Sequence, residues 1–384
     1  MLKPTSVRGQ LFVLRTLQFA NYAGMVLLIT YFPLYFESLG YSKLQIGAIY
    51  SIGPFLSIVS NLAVGVISDR TKNLPRLLSF LYLAQILALA LLLPQKEFLM
   101  MAIVMAVFYL FQTPNNTMID SVSMLAAERV KVSFPAIRMY GSLGYAVCAI
   151  AFGYVLQTHG SEWTIPLMLG VVVVSLAFSL LLGDYQAALK KFEFGGLWAL
   201  LRRRETLLFF GLILTISVAH RTNEGFLSVS MREIGADDSV IGYAALAAAV
   251  SEIPMFFLLA RFGHRFREFA LLAIASAFYV VRLGLLSAAT EPWMYVALQA
   301  MHSVTFAIFY ITALRCLQML IPDEYRSSGQ AVFAVVWMGL AGVIAGMLGG
   351  WLFDSFGLAY VFRAGALFAL IGMLGFLYAH LRRR

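Results

Sequence analysis

Charge is scarce in this sequence. Lys, Arg, Asp and Glu make up 12% of its 384 residues, while hydrophobic residues make up 61%. A water-soluble body needs a polar skin, so this shortage argues against an ordinary globular domain and for lipid as the solvent. Cysteine is nearly absent: the two, Cys148 and Cys316, both fall in apolar segments, which argues against a disulfide framework or a zinc site. No Gly-Lys-Ser/Thr phosphate loop occurs, so ATP drive is not expected. The histidines and carboxylates lack metal-ligand spacing and no nucleophile stands with a base, so neither a metal centre nor enzymatic activity is expected. The first apolar stretch holds Asn21, Tyr22 and Pro33 and lacks the short core and small-residue cleavage site of a signal peptide. It reads as a retained helix.

What is present is length of apolar chain. A spanning helix needs roughly 17–25 mostly apolar residues. Segments near 11–36, 44–68, 75–94, 98–127, 136–157, 164–183, 206–231, 239–261, 268–288, 292–321, 328–353 and 358–381 meet that length. The expected fold is all-α and membrane-embedded: twelve transmembrane helices in two six-helix, pseudo-symmetric bundles around a central cavity. Basic residues crowd alternate loops, as at Arg70, Lys72, Arg129, Lys131, Lys190, Arg202, Arg265 and Arg382, while the other loops hold only Lys43, Lys96 and Arg232. That asymmetry predicts cytoplasmic N- and C-termini in a cell membrane. It also accounts for the formal charge of +9, leaving no reason to expect nucleic acid as a partner.

The halves look like copies. Leu39-Gly40, Ile46-Gly47 and Asp69-Arg70 recur 195 residues later as Ile234-Gly235, Ile241-Gly242 and His264-Arg265. The division this implies is an N-terminal bundle over 1–183, a cytoplasmic linker over 184–205 and a C-terminal bundle over 206–384. Phe192, Phe194 and Trp198 between basic residues suit an interfacial helix in that linker. Gly342, Gly346 and Gly350 recur every four residues, a spacing that lets helices approach closely within a single chain, expected to be a monomer.

Gly65-Val-Ile-Ser-Asp69-Arg70 resembles the major facilitator signature that follows the second helix, with Lys72-Asn73 in place of a further glycine. The resemblance implies a gating role for Gly65, Asp69 and Arg70. Arg138-Met139-Tyr140-Gly141-Ser142-Leu143-Gly144-Tyr145 is similar to a run in the lactose permease group of proton symporters, with their oligosaccharide, nucleoside and phenylpropionate relatives. In that group an acidic residue 18 positions before the Arg shares its sugar contact, and an aromatic seven positions after it stacks on the ring. The resemblance carries these roles to Asp120 and Tyr145. Gln299-Ala-Met-His302 and Ser251-Glu252-Ile253-Pro254 look more like the phenylpropionate branch.

Charge at bilayer depth costs at least about 2.5–3.5 kcal/mol, so each buried ionisable group should face a partner or a cavity. Gln112, Asn116 and Asp120 follow one another at i+4 and share a helix face, to which Arg138 could bring a forked donor. These residues with Tyr145 are the substrate-binding candidates; the alternative is an ion pair that only holds two helices together. His220, Asn223 and Glu224 form one stripe, with Arg221 expected to turn aside. Glu252, His302, Glu224 and Arg282 are the proton-coupling candidates, since a carboxylate, an imidazole and a cation suit a coupled release. Arg315 and Arg363 are expected to snorkel to the interface. The function expected is proton-coupled import of a sugar, nucleoside or aromatic acid by alternating access, with the proton gradient as the driving force and no cofactor. An exporter of drugs or lipids is the alternative within transport; a membrane sensor or intramembrane enzyme is the alternative outside it.

Overall fold

The computed structural model describes residues 6–71, 73–183, 185, 203–322 and 326–382; the side chains of Asp69, Ala260, His264 and residues 326–328 lie outside that description. Regular structure among the described residues is entirely helical. Twelve long helical segments follow one another: α1 Val7–Ser38, α2 Lys43–Thr71, α3 Leu74–Leu92, α4 Phe98–Val130, α5 Phe134–His159 and α6 Ser161–Leu180, then α7 Arg204–Glu233, α8 Asp238–Phe262, α9 Glu268–Leu286, α10 Pro292–Leu320, α11 Gly329–Phe356 and α12 Leu358–Arg382. Each lies within a few residues of an apolar segment in the sequence. Eleven are both long and apolar enough to cross a membrane. The exception, α7, has 30 residues and ample length, but His220, Arg221, Asn223 and Glu224 lower its mean hydropathy. Apart from residues 185 and 203–205, the expected interfacial linker falls outside the described residues.

Local chemistry sets the helix ends. Ser6 caps α1 by accepting the Gly9 amide at 3.1 Å, and Asn73 caps α3 by accepting that of Arg76 at 3.2 Å. After α1, Tyr41 N–H reaches back to the Phe36 carbonyl at 3.3 Å; after α7, Ala236 N–H reaches the Met231 carbonyl at 2.9 Å. Both are the same closing motif, and each turns on a left-handed glycine, Gly40 at φ +82° and Gly235 at φ +88°. A Cβ at either would meet no atom within 4 Å, so the backbone angle alone demands glycine there. The 195-residue repeat is thus a repeat of conformation as well as of letters. Beside the first turn, the Tyr41 phenol donates to the Lys96 carbonyl at 2.8 Å. Burial pushes that phenol up to about 12, with Tyr35 and Glu97 adding to the effect.

The chain packs as two compact units. One comprises Met1–Tyr41, Phe55–Lys190 and Asp237–Leu246; the other comprises Ser42–Pro54, Lys191–Ala236 and Ala247–Arg384. In the first, α1 lies against α5 and α6, and α3 against α4 and α6. Small residues allow the closest approaches: a Cβ at Gly144 would strike the Phe19 backbone, and one at Gly242 the Ala149 carbonyl. The Tyr31 hydroxyl donates to that same carbonyl at 2.6 Å.

In the second unit α7, α9 and α12 pack together, and α11 lies against α7. The opening stretch of α2 runs along α11, where Gly342 faces Pro54, Gly346 faces Ser51 and Gly47, and Gly350 faces Lys43 and Leu44. The every-fourth glycines therefore serve packing within the chain, as their spacing predicts. Asp354 of α11 caps α2, accepting the amides of Lys43 at 2.9 Å and Leu44 at 2.8 Å. Gly346→Val is expected to destabilise the protein by about 1–3 kcal/mol, because its side chain overpacks against Ser51 and the Gly47 carbonyl. Thermal unfolding in detergent checks this, and an unchanged midpoint would count against the packing described.

Among the described residues, three helices depart from α geometry by a π turn: Leu27–Tyr31 in α1, Ser303–Ala307 in α10 and Val335–Leu340 in α11. Such turns hold one extra residue and gather at functional sites.

Candidate functional site

Two polar clusters sit in apolar surroundings, one in each unit. The first is built on α4 around the break of the helix at Thr113 and Pro114. Gln112, Asn116 and Asp120 share a face, and all three meet α1. Gln18 Nε2 donates to Asp120 Oδ1 at 3.0 Å and to Ser123 Oγ at 3.2 Å; Asn21 donates to Asn116 Oδ1. The amides of Gln112 and Asn116 both donate to the Met25 sulfur at 3.5 Å. From α5, Arg138 brings its Nε to 3.6 Å from Asp120 Oδ1. Its guanidinium also donates to the Tyr22 hydroxyl and stands 4.0 Å from the Tyr22 ring centroid. A Cβ at residue 141 would collide with that ring, so Gly141 makes the space.

The structure therefore joins Asp120 to Arg138, and Gln112 to Asn116 through Met25. Tyr145 is half-buried two turns further along α5 and interacts electrostatically with Tyr31. The α1 contribution went unread in the sequence. Its signal is there: Gln18, Asn21, Tyr22 and Met25 fall at i, i+3, i+4 and i+7 of an apolar helix.

The second cluster draws on α7 to α11. His302 Nε2 lies 2.9 Å from Glu252 Oε1. Arg282 Nη1 lies 3.1 Å from His302 Nδ1 and donates to Thr305 Oγ1 at 3.0 Å, while Nη2 donates to Gln299 Oε1. A guanidinium can only donate, so His302 Nδ1 must accept. The imidazole proton is thereby placed on Nε2, where it is donated to Glu252. Arg282 is 1% exposed, and its charge is answered by Glu252 through that ring.

Glu224 belongs to a neighbouring group. Arg221, expected to turn aside, instead pairs with Glu224, bonds the Tyr50 phenol and reaches the Trp337 carbonyl at 3.5 Å. An ideal 100° step sets residue 221 off the 220/224 stripe, but its long side chain bridges i to i+3. His220 lies 4.0 Å from Glu224, too far for a hydrogen bond, and its Nδ1 is 3.0 Å from the Tyr279 hydroxyl. The His220 ring stacks on His302, Phe306 and Trp337 at centroid distances of 5.6, 5.0 and 5.1 Å. Phe306 and Trp337 both stand in π turns. Proton-coupling candidates Glu252, His302 and Arg282 are thus in one bonded chain, with Glu224 next to it across the stacked histidines.

A Cβ at Gly65 would meet nothing described within 4 Å, Arg70 is exposed, and the Asp69 side chain lies outside the described residues. Arg315, expected at the interface, pairs with Glu268 in the first turn of α9 at 3.0 Å. Arg363 is exposed and lies over Tyr360.

Comparison with known proteins accords with this helical frame. The profile of the MFS_1 like family matches residues 11–364. The chain belongs to that family. It is a major facilitator transporter, an all-α multi-pass membrane protein. Among curated relatives, the maltose permease of Geobacillus stearothermophilus is 25% identical over 364 residues, covering 89% of this chain and 87% of the permease. The probable 3-phenylpropionic acid transporter of Escherichia coli (strain K12) is 25% identical over 365 residues, covering 92% and 94%. The crystal structure of the nucleoside transporter NupG superposes with a TM-score of 0.87 over 96% of this chain and 98% of that one. At 14% identity that likeness shows the fold alone.

Proposed function

We propose that this major facilitator transporter is a proton symporter that imports a small organic solute by alternating access. The observation that carries the reading is the Glu252–His302–Arg282 chain in the second unit. A proton added at His302 Nδ1 must displace Arg282, because both cannot occupy one lone pair. Protonation and the position of Arg282 are therefore mutually exclusive. That is the property a coupling element needs: an electrostatic state tied to a mechanical one. The α1–α4–α5 cluster supplies the solute contacts, through Asp120, Arg138, Asn116 and Gln112, with Tyr145 further along α5.

The solutes named for its relatives, maltose, 3-phenylpropionic acid and nucleosides, set the first panel to try. The protein works as a monomer in the cytoplasmic membrane with both termini inside, needs no cofactor beyond the proton gradient, and carries out no chemistry on its cargo. The test uses proteoliposomes and an imposed pH gradient. Solute entry should quicken with outside acid and should make the external medium more alkaline. Uptake indifferent to the gradient would overturn the coupling.

A further inference from the structure

We infer that the turn between α8 and α9 seats an anionic phospholipid, with Arg261, Arg265 and Arg267 on its phosphate and an acyl chain along one face of α8.

Arg261 stands in the last turn of α8, Gly263–Arg265 forms a single 3-10 turn, and Arg267 immediately precedes α9. All three arginines are exposed. Arg261 and Arg265 both stand over the Phe262 ring, 5.6 and 5.1 Å from its centroid, so two guanidiniums are gathered at one place. A ring offers them no acceptor oxygen. Glu268, the carboxylate next along the chain, is taken by Arg315 at 3.0 Å. Arg315 itself reaches the turn, where a Cβ on Gly263 would meet its Nη1 at 3.1 Å. Among the described residues, no carboxylate lies within ion-pair distance of Arg261, Arg265 or Arg267. The first half treats the matching stretch differently: 195 residues earlier, Val66 and Asp69 stand where Arg261 and His264 stand here. Like charges held this close repel one another, and an anion bound among them relieves the repulsion.

The helix beneath says which anion. Val250, Ile253, Phe257 and Arg261 follow one another at i, i+3, i+7 and i+11, and so share one face of α8. The three apolar members are all exposed, Phe257 at 74%. Glu252, bonded to His302, projects from the opposite side of the helix. Past the arginine pair, Phe266 is 55% exposed. In a membrane protein, an apolar stripe that ends on unanswered guanidiniums has the polarity of a phospholipid, acyl chain first and phosphate after it. A guanidinium fork matches phosphate oxygens and keeps its charge. Free phosphate would use the arginines and leave the stripe idle.

Native mass spectrometry of the purified full chain tests this, with phosphatidylglycerol and phosphatidylcholine of identical acyl chains titrated in a neutral detergent. The wild type should take its first phosphatidylglycerol at least about tenfold more tightly than phosphatidylcholine. Arg261→Gln/Arg265→Gln/Arg267→Gln, with folding verified by its unfolding midpoint, should lose that preference. Arg265→Gln alone should lose part of it, which keeps the test open if the triple variant does not fold. Phe257→Asn should weaken both lipids. Arg8→Gln/Arg76→Gln/Lys131→Gln removes as much charge from other exposed positions and should keep the preference. A wild type without the preference overturns the inference. So do arginine variants that retain it, a control variant that loses it equally, or Phe257→Asn binding both lipids as before. Displacement of phosphatidylglycerol by millimolar inorganic phosphate would also overturn it, by marking a site for free anions.

Discussion

Arg282→Met is expected to lower the stability of the protein by about 3–5 kcal/mol, the largest loss of any single substitution considered. The guanidinium is fully buried and supplies the donors for Gln299 Oε1, Thr305 Oγ1 and His302 Nδ1. Methionine fills comparable space but donates nothing. Three acceptors then lose their hydrogen bonds, and Glu252 keeps a negative charge in apolar surroundings with no cation to answer it. The double variant Arg282→Met/Glu252→Gln is the informative partner. Removing both charges together should recover most of the loss, because a buried pair contributes little net stability while a half-pair is costly. Unfolding midpoints of the wild type, the single variant and the double variant in one detergent provide the check. A single variant as stable as the wild type, or a double variant no better than the single, would show that the two charges are not coupled through His302.

The second large effect concerns transport. Glu252→Gln should abolish solute-driven alkalinisation and accumulation against a gradient, while solute exchange across the membrane persists. The amide keeps the shape of the side chain and its contact with His302 Nε2, so packing is retained. What is lost is the negative charge that draws a proton to the ring, and with it the reason for Arg282 to move. Proteoliposomes loaded with a pH-sensitive dye measure the proton; exchange of labelled for unlabelled solute measures the carrier. Persistent alkalinisation in Glu252→Gln would remove Glu252 from the coupling role. Loss of exchange as well would make it a residue that holds the carrier together.

The fold was readable because lipid imposes a simple rule, apolar runs of sufficient length, and eleven of the twelve helical segments obey it closely. Even α7 could be read, since the polar residues that lower its hydropathy occupy a short stretch of a long helix. The pairing of Asp120 with Arg138 was accessible from helix periodicity and the resemblance around Arg138. Other contacts were not. Gln18, Asn21 and Tyr22 carry no formal charge, so a search for ionisable groups in the membrane passes over them. Arg221 was placed off its stripe because ideal geometry counts Cα directions and ignores the reach of a long side chain. The bond from Asp354 to the start of α2 joins residues more than 300 positions apart, and nothing local announces it. The ring stack of His220, Phe306 and Trp337 depends on two π turns, whose effect on register no α-helical periodicity contains.

The π turn at Ser303–Ala307 also has a mechanical meaning. Because it holds a spare residue, α10 behaves as two rods joined by slack. His302 and Gln299 ride on the first rod, bonded to Glu252 of α8 and Arg282 of α9, whereas Phe309, Thr312 and Cys316 are embedded in the second. Taking up that slack turns the second rod by about 100° relative to the first, the angle of one residue in an α-helix. Rotation of residues 308–320 therefore need not disturb the bonds that His302 makes with Glu252 and Arg282.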